Sequence, residues 1–387
     1  MSRFKIIVTV LFVFCFLIPL SEQSEAFELD IEAAILVDAE SGQVLYEKNA
    51  DQTLPPASIT KIMTLLLAME QVEKNTISLD DEVMISQLAE SMGGSQIYLA
   101  ANTRVKLSAL LEAITIASAN DASVAVSEAI AGSYNNFIDL MNKKAEELGM
   151  VNTNFVNSSG LPSKNHYSSA RDIAVMSREL VKYPKILEWA SIWVDYLQLP
   201  GRKAMLVNTN KLIRDYPGMD GIKTGHTDEA GFCLAATAQR DNMRLISVIM
   251  RASSEKEREE LTSRLLDYGF NAFISEVVVK KGEQVQNIEI PDGEKTITVA
   301  EVANDLKVIY QRGTADSLKK KIVISEQLQA PIKKGDVLGR QSIMQDDRLL
   351  ASVDLIATED VERAGFFTRL WRSFVNSVSN LLQRILG

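Results

Sequence analysis

Pro55-Pro56-Ala57-Ser58-Ile59-Thr60-Lys61 is the stretch of this 387-residue chain on which the reading turns. Two prolines end the segment before it, and the apolar spacing of Ile59–Gln71 predicts a helix that begins at or near Ser58. One helical turn then sets Lys61 on the same face as Ser58, within reach of its hydroxyl. A serine is a poor nucleophile until a neighbouring base takes its proton, and a lysine can be that base if burial or another cation lowers its pKa. A helix N-terminus also favours an anionic oxygen developing at Ser58. The same Ser-x-x-Lys spacing recurs at Ser2–Lys5, Ser253–Lys256 and Ser317–Lys320, so spacing alone decides nothing.

Two further stretches give it context. Ser118-Ala119-Asn120 lies between the helix-like runs Leu107–Ala117 and Ala122–Ala131. Such a turn offers one hydroxyl for proton relay and one amide for a substrate carbonyl or amide, while Asn120 and Asp121 are good caps for the next helix. Asp220-Gly221-Ile222-Lys223-Thr224-Gly225-His226-Thr227 reads as a strand ending in Lys-Thr-Gly. It places a positive charge and a hydroxyl beside an edge that can take an extended peptide, and Gly225 lets a substrate approach the backbone.

Ser-x-x-Lys, Ser-x-Asn and Lys-Thr-Gly, in that order, form the signature set of penicillin-binding proteins and class A β-lactamases. Here Ser58, Ser118 and Lys223 follow at intervals of 60 and 105 residues. From Ala33 to about Phe273 the chain resembles the serine D-alanyl-D-alanine carboxypeptidases, the low-molecular-weight penicillin-binding proteins. The likeness is carried by Pro56–Thr64, Ser91-Met92-Gly93-Gly94-Ser95, Ser118–Ser123 and Asp220–Thr227. It implies an α/β (α+β) transpeptidase/β-lactamase-like catalytic domain, an antiparallel sheet flanked by helices, with the site between sheet and helical lobe. It also implies roles. Ser58 attacks the penultimate D-Ala carbonyl of a peptidoglycan stem peptide ending in D-Ala-D-Ala, and Lys61 is the base. Ser118 relays the proton and Asn120 holds the substrate backbone. Lys223 and Thr224 take the terminal carboxylate, and the backbone N–H groups of Ser58 and His226 form the oxyanion hole. Arg258 aligns with a family arginine near that carboxylate, although an arginine among Glu255, Glu257, Glu259 and Glu260 also reads as a surface ion pair. β-Lactam antibiotics are the expected covalent inhibitors, and no cofactor is expected.

A β-lactamase of class A needs an extra Glu beyond the second motif for deacylation. Residues 149–178 hold only Asp172 as an acid, so that reading is set aside. A DD-endopeptidase cutting peptidoglycan cross-links shares all three motifs and stands as the alternative. A binding protein that had lost catalysis would be expected to lack a motif residue, and none is lacking.

Composition bounds the rest. With 41 Lys+Arg against 51 Asp+Glu the net charge is −10, which argues against nucleic acid as a partner. Two His and two Cys leave no basis for a His/Cys metal site. Arg3 and Lys5, the apolar run from Ile6 to Leu20 and Ser24-Glu25-Ala26 predict a signal peptide over residues 1–26 and an exported protein. Residues 27–275 then form the catalytic domain. Over 276–365, short alternating runs such as Val277–Val279, Thr296–Val299, Lys321–Ile324 and Leu350–Leu355 between Gly-containing turns predict a small all-β domain. In 366–387, Phe367, Leu370, Trp371, Phe374, Val378, Leu381, Leu382 and Ile385 line one helical face, and the other carries Arg369, Arg372 and Arg384 without an acid. That pattern predicts an amphipathic helix lying on the membrane surface, which places the protein at the outer face of the cytoplasmic membrane.

Overall fold

The computed structural model describes residues 27–326, 328–368, 370–372 and 374–375. The expected signal peptide, and Arg369, Val378, Leu381, Leu382, Arg384 and Ile385 of the expected C-terminal face, lie outside the described residues.

Ala-Ala-Ile-Leu-Val-Asp forms strand β1 (Ala33–Asp38), buried at every position. Successive side chains of a strand point to opposite faces. Ala33, Ile35 and Val37 therefore join the core under the helical lobe, while Ala34 and Leu36 join the core on the opposite face. An apolar run without alternation marks a strand covered on both sides. β1 pairs with β2 (Val44–Lys48) as an antiparallel hairpin.

A 3-10 turn (Ala57–Thr60) then leads into α1 (Lys61–Glu73). Strand β3 (Glu82–Met84), the short helix α2 (Gln87–Glu90) and strand β4 (Arg104–Lys106) follow, and β3 pairs with β4. The lobe is completed by α3 (Leu107–Ala117), α4 (Asn120–Ala131), α5 (Tyr134–Glu147), α6 (Ala170–Leu180) and α7 (Pro184–Ala190). Serines cap α5 and α6: Ser133 Oγ accepts from Asn136 N–H at 3.2 Å and Ser169 Oγ from Asp172 N–H at 3.1 Å. Next come a hairpin of β5 (Val194–Leu199) and β6 (Arg202–Val207), and the short helix α8 (Leu212–Asp215). Three long strands follow, β7 (Met219–Thr227), β8 (Gly231–Arg240) and β9 (Met243–Ala252), before helix α9 (Glu255–Ala272).

The central sheet has the order β2-β1-β9-β8-β7 and is antiparallel throughout. β7 is therefore its edge, and that edge faces the helical lobe. α9 covers the other face, where Leu261, Leu265 and Leu266 pack against Leu36, Leu245 and Ile249.

The all-β part is built from β10 (Phe273–Val279), β11 (Gln284–Glu289), β12 (Ile297–Val302), β13 (Leu306–Gln311), β14 (Leu318–Ile324), β15 (Val337–Gln345) and β16 (Arg348–Ala357). β10 pairs with β13, and the other five form a sheet in the order β11-β12-β16-β15-β14. This part has its own core, including Ile288, Val302, Leu338 and Leu355. The expected boundary at residue 275 falls inside β10, and Ile309 of β13 packs into the core beneath α9. Residues 366–368, 370–372 and 374–375 are helical.

The periodicity that predicted helical runs at Leu107–Ala117 and Ala122–Ala131 places α3 and α4 within two residues of their observed ends. It does not reveal α7 or the β5–β6 hairpin. α7 is only seven residues long, and the hairpin leaves Val194, Tyr196, Met205 and Val207 exposed, so its polar and apolar positions do not sort by face.

Candidate active site

The α-helix begins at Lys61, three residues later than expected, and Ser58 sits in the 3-10 turn before it. The turn still brings the two groups together: Lys61 Nζ lies 2.9 Å from Ser58 Oγ. Lys61 is wholly buried, and its Nζ also donates to Ser159 O at 2.6 Å. Burial, reinforced by the Lys223 ammonium and opposed by the Asp121 carboxylate, holds its pKa well below the ordinary lysine range. A lysine so placed is a competent proton acceptor for the Ser58 hydroxyl.

Ser118 ends α3 in the left-handed conformation, φ 60°, which turns its hydroxyl toward the cleft. Its Oγ and Asn120 Oδ1 are buried and have no hydrogen-bond partner among the described residues. Asn120 does not cap α4 as expected. Ala119 occupies the cap position, and Asn120 Nδ2 donates to Gly93 O at 2.7 Å. Asp121 is buried and accepts from Ile97 N–H and Leu99 N–H, at 3.1 and 3.0 Å to Oδ2. The pair thus pins the 93–99 loop along the rim of the cleft, and Ser95 lines it.

β7 closes the other side. Lys-Thr-Gly lies within the strand and does not end it, since pairing with β8 continues to Thr227. Lys223 is buried, and burial together with the Arg258 charge pushes its pKa down to about 7. Thr224 Oγ1 donates to Thr209 Oγ1 at 2.6 Å. Gly225 serves a purpose the sequence did not suggest. A Cβ there would lie 2.8 Å from Pro56 O and 3.1 Å from Ala57 Cβ, so the absent side chain lets the strand approach the Ser58 turn. The His226 side chain is exposed and stacks on Phe232 at 4.0 Å between centroids.

Arg258 takes part in ion pairs, but not as a surface residue. It pairs with Glu255 at 3.2 Å and Glu259 at 3.4 Å, yet its side chain is only 4% exposed and lines the cleft. The cleft has a volume of about 530 Å³ and is lined by Ser58, Ser118, Thr224, Gly225, His226 and Arg258, with Lys61 and Lys223 buried beside it. Asp172 is remote: its carboxylate accepts from Asn152 N–H and Thr153 Oγ1, both at 2.8 Å.

Residues absent from the motif reading complete the frame. Ser159 supplies a backbone carbonyl to Lys61, and Gly160 lies against Ala57 O. Trp193, Asn208 and Thr209, at the root of the β5–β6 hairpin, line the cleft near Thr224. Thr209 and Asn208 had no motif to mark them, and a carbonyl has no side-chain signature at all.

An antiparallel sheet beneath a helical lobe, with Ser-x-x-Lys, Ser-x-Asn and Lys-Thr-Gly meeting in the cleft between them, defines a penicillin-recognising serine enzyme. The chain belongs to the D-alanyl-D-alanine carboxypeptidase family, peptidase S11, whose pattern matches residues 20–254; residues 273–363 match the penicillin-binding protein 5 C-terminal domain. It is 41% identical to the D-alanyl-D-alanine carboxypeptidase DacF of Bacillus subtilis over 89% of either chain. The crystal structure of penicillin binding protein 5 from Haemophilus influenzae superposes with a TM-score of 0.77 at 32% identity, covering 87% of this chain and 99% of that one. Penicillin-binding protein D2 of Listeria monocytogenes in its ampicillin-bound form matches with a TM-score of 0.57 at 34% identity, over 63% of this chain and 99% of that one. The protein is a serine D-alanyl-D-alanine carboxypeptidase.

Proposed function

We propose that Ser58 is the nucleophile that removes the terminal D-Ala from peptidoglycan stem peptides. The observation that carries this is the buried Lys61 amine 2.9 Å from a hydroxyl that lines the cleft. Lys61 takes the Ser58 proton as Oγ attacks the penultimate D-Ala carbonyl, and the backbone N–H groups of Ser58 and His226 hold the oxyanion. Ser118 passes a proton to the departing D-Ala amine, leaving an acyl-enzyme that water hydrolyses. Asn120 holds the substrate backbone, and Lys223, Thr224 and Arg258 receive the terminal carboxylate. β-Lactams acylate the same serine. Residues 27–275 carry this chemistry; 276–365 form an all-β domain that contributes no residue to the cleft among those described. Incubating the purified protein with diacetyl-Lys-D-Ala-D-Ala should release free D-Ala, and a labelled penicillin should be found on the Ser58 peptide. Label on another residue, or no D-Ala, would sink the assignment.

The charge on Lys223 gives the activity a pH signature. With its pKa at about 7, the free enzyme loses the carboxylate-binding ammonium as pH rises through neutrality, so kcat/KM should fall on the alkaline side. Lys223→Arg keeps its charge throughout this range and should flatten that limb while retaining measurable acylation. An unchanged alkaline limb in the variant would assign the titration to another group.

We further propose that the protein is exported and held at the outer face of the cytoplasmic membrane by residues 366–387. In support, Phe366, Phe367, Leu370, Trp371 and Phe374 are all more than half exposed, so no other described residue covers them. Arg372, by contrast, donates to Gly293 O at 2.7 Å. Deleting the residues after Gly365 should release the protein from anionic liposomes while small-peptide activity persists. Undiminished sedimentation of the truncated protein would exclude those residues as anchor.

A further inference from the structure

Of the two histidines, His226 lies on the cleft and His166 does not. His166 is buried between the Ser58 turn and the loop of residues 155–161. Its Nδ1 accepts from Val156 N–H at 3.0 Å, which assigns the ring proton to Nε2. Nε2 faces Thr60 Oγ1 at 2.8 Å, and the Thr60 hydroxyl donates onward to Ala57 O at 2.8 Å. The three bonds run in one direction: Val156 to His166, His166 to Thr60, Thr60 to Ala57.

Their end point is a strained residue. Ala57 sits at φ +48°, a region that residues with a Cβ enter only when their surroundings hold them there. The peptide that Thr60 grips is the one that precedes Ser58. On its other side, the loop that His166 holds through Val156 supplies Ser159 O to Lys61 Nζ at 2.6 Å. The turn bearing Ser58 and the carbonyl orienting Lys61 are thus joined through one imidazole. Burial pushes the His166 pKa down to about 4, so the ring stays neutral and its donor stays on Nε2 at neutral pH.

We propose that His166 is a positioning residue for acylation, holding Thr60 and through it the strained Ala57 peptide so that Ser58 Oγ stays against Lys61 Nζ. This rests on the reading of Ser58 as nucleophile. It concerns rate and not binding, because Lys223, Thr224 and Arg258 approach the substrate from β7 and α9 and make none of these bonds.

The test uses the full chain and two readouts: the rate of labelling by a fluorescent penicillin, and kcat and KM on diacetyl-Lys-D-Ala-D-Ala. Thr60→Val removes the relayed hydroxyl at nearly constant volume, and His166→Leu removes the ring's polar atoms. Each should lower the acylation rate and kcat by about 100-fold, the scale expected of a displacement near 1 Å at reacting groups, while KM stays within about twofold. Thr60→Ser keeps the hydroxyl and should restore the rate to within about tenfold of the parent, the rescue that a purely packing role would not give. The double variant should be no slower than the worse single, because both break one chain. Wild-type rates in Thr60→Val, a parallel rise in KM, or multiplying losses in the double variant would overturn the proposal. Should His166→Leu fail to fold, as judged by thermal melting, the Thr60→Val and Thr60→Ser pair decides alone. Penicillin attached to the parent protein anywhere but Ser58 would instead overturn the reading on which the proposal rests.

Discussion

Exchange of Lys61 for arginine should abolish acylation. The Lys61 side chain is fully buried, with Nζ 2.9 Å from Ser58 Oγ and 2.6 Å from Ser159 O. Its amine is worth having there because burial and the neighbouring Lys223 charge favour the neutral form, which alone can accept a proton. A guanidinium cannot deprotonate near neutral pH, so the variant retains charge and loses the base. General-base catalysis typically contributes about 10²–10⁴-fold, and the loss should fall toward the upper end of that range because the planar fork must also replace a fully buried side chain. Lys223→Arg, which keeps the charge its position calls for, should lose far less. Rates of penicillin labelling for the two variants, side by side, check this. Equal losses would argue that both lysines do the same work.

The second large effect should come from Gly160→Ala, a change of one methyl group away from every motif. Gly160 has φ +81°, and a Cβ built there would stand 1.8 Å from Ala57 O and 2.9 Å from Ser58 N. Those atoms belong to the turn that carries Ser58, so neither can yield without moving it. If the loop retreats instead, Ser159 O is withdrawn from Lys61. Either response separates the Ser58–Lys61 pair, and an acylation loss of about 100-fold is expected. Strain at the left-handed position and the forced displacement together should cost about 2–4 kcal/mol of stability, read as a shift in the urea midpoint. Parental acylation in a stably folded variant would show that the loop and turn are not coupled as their contact implies.

How much of this was legible beforehand depends on the kind of group involved. Side-chain chemistry repeated at helical or motif spacing is local, and it was readable. Ser58 with Lys61, Ser118 with Asn120, and Lys223 with Thr224 stand out because three short motifs, each common alone, follow one another in one order. Some details went astray at the edges of elements. The prolines that announced a helix at Ser58 introduce a 3-10 turn, and Asn120, a good cap by type, is drawn off by the Gly93 carbonyl. Propensity proposes such ends, and tertiary hydrogen bonds decide them.

The sequence by itself determined the chemical inventory: Ser58 with Lys61, Ser118 with Asn120, the Lys223-Thr224-Gly225 stretch, their order, and an all-β part expected over residues 276–365. Only the tertiary structure decided what makes that inventory a site. Lys61 finds Ser159 O across 98 residues, and Thr60 finds His166 across 106. Gly225 is required by its contact with the Pro56–Ala57 backbone, and Arg258 is drawn from a run of glutamates into the cleft by the packing of α9 on the sheet. The reason is physical. A backbone carbonyl, a missing methyl group and the burial of a charge have no local pattern, because each is defined by what another part of the chain brings against it.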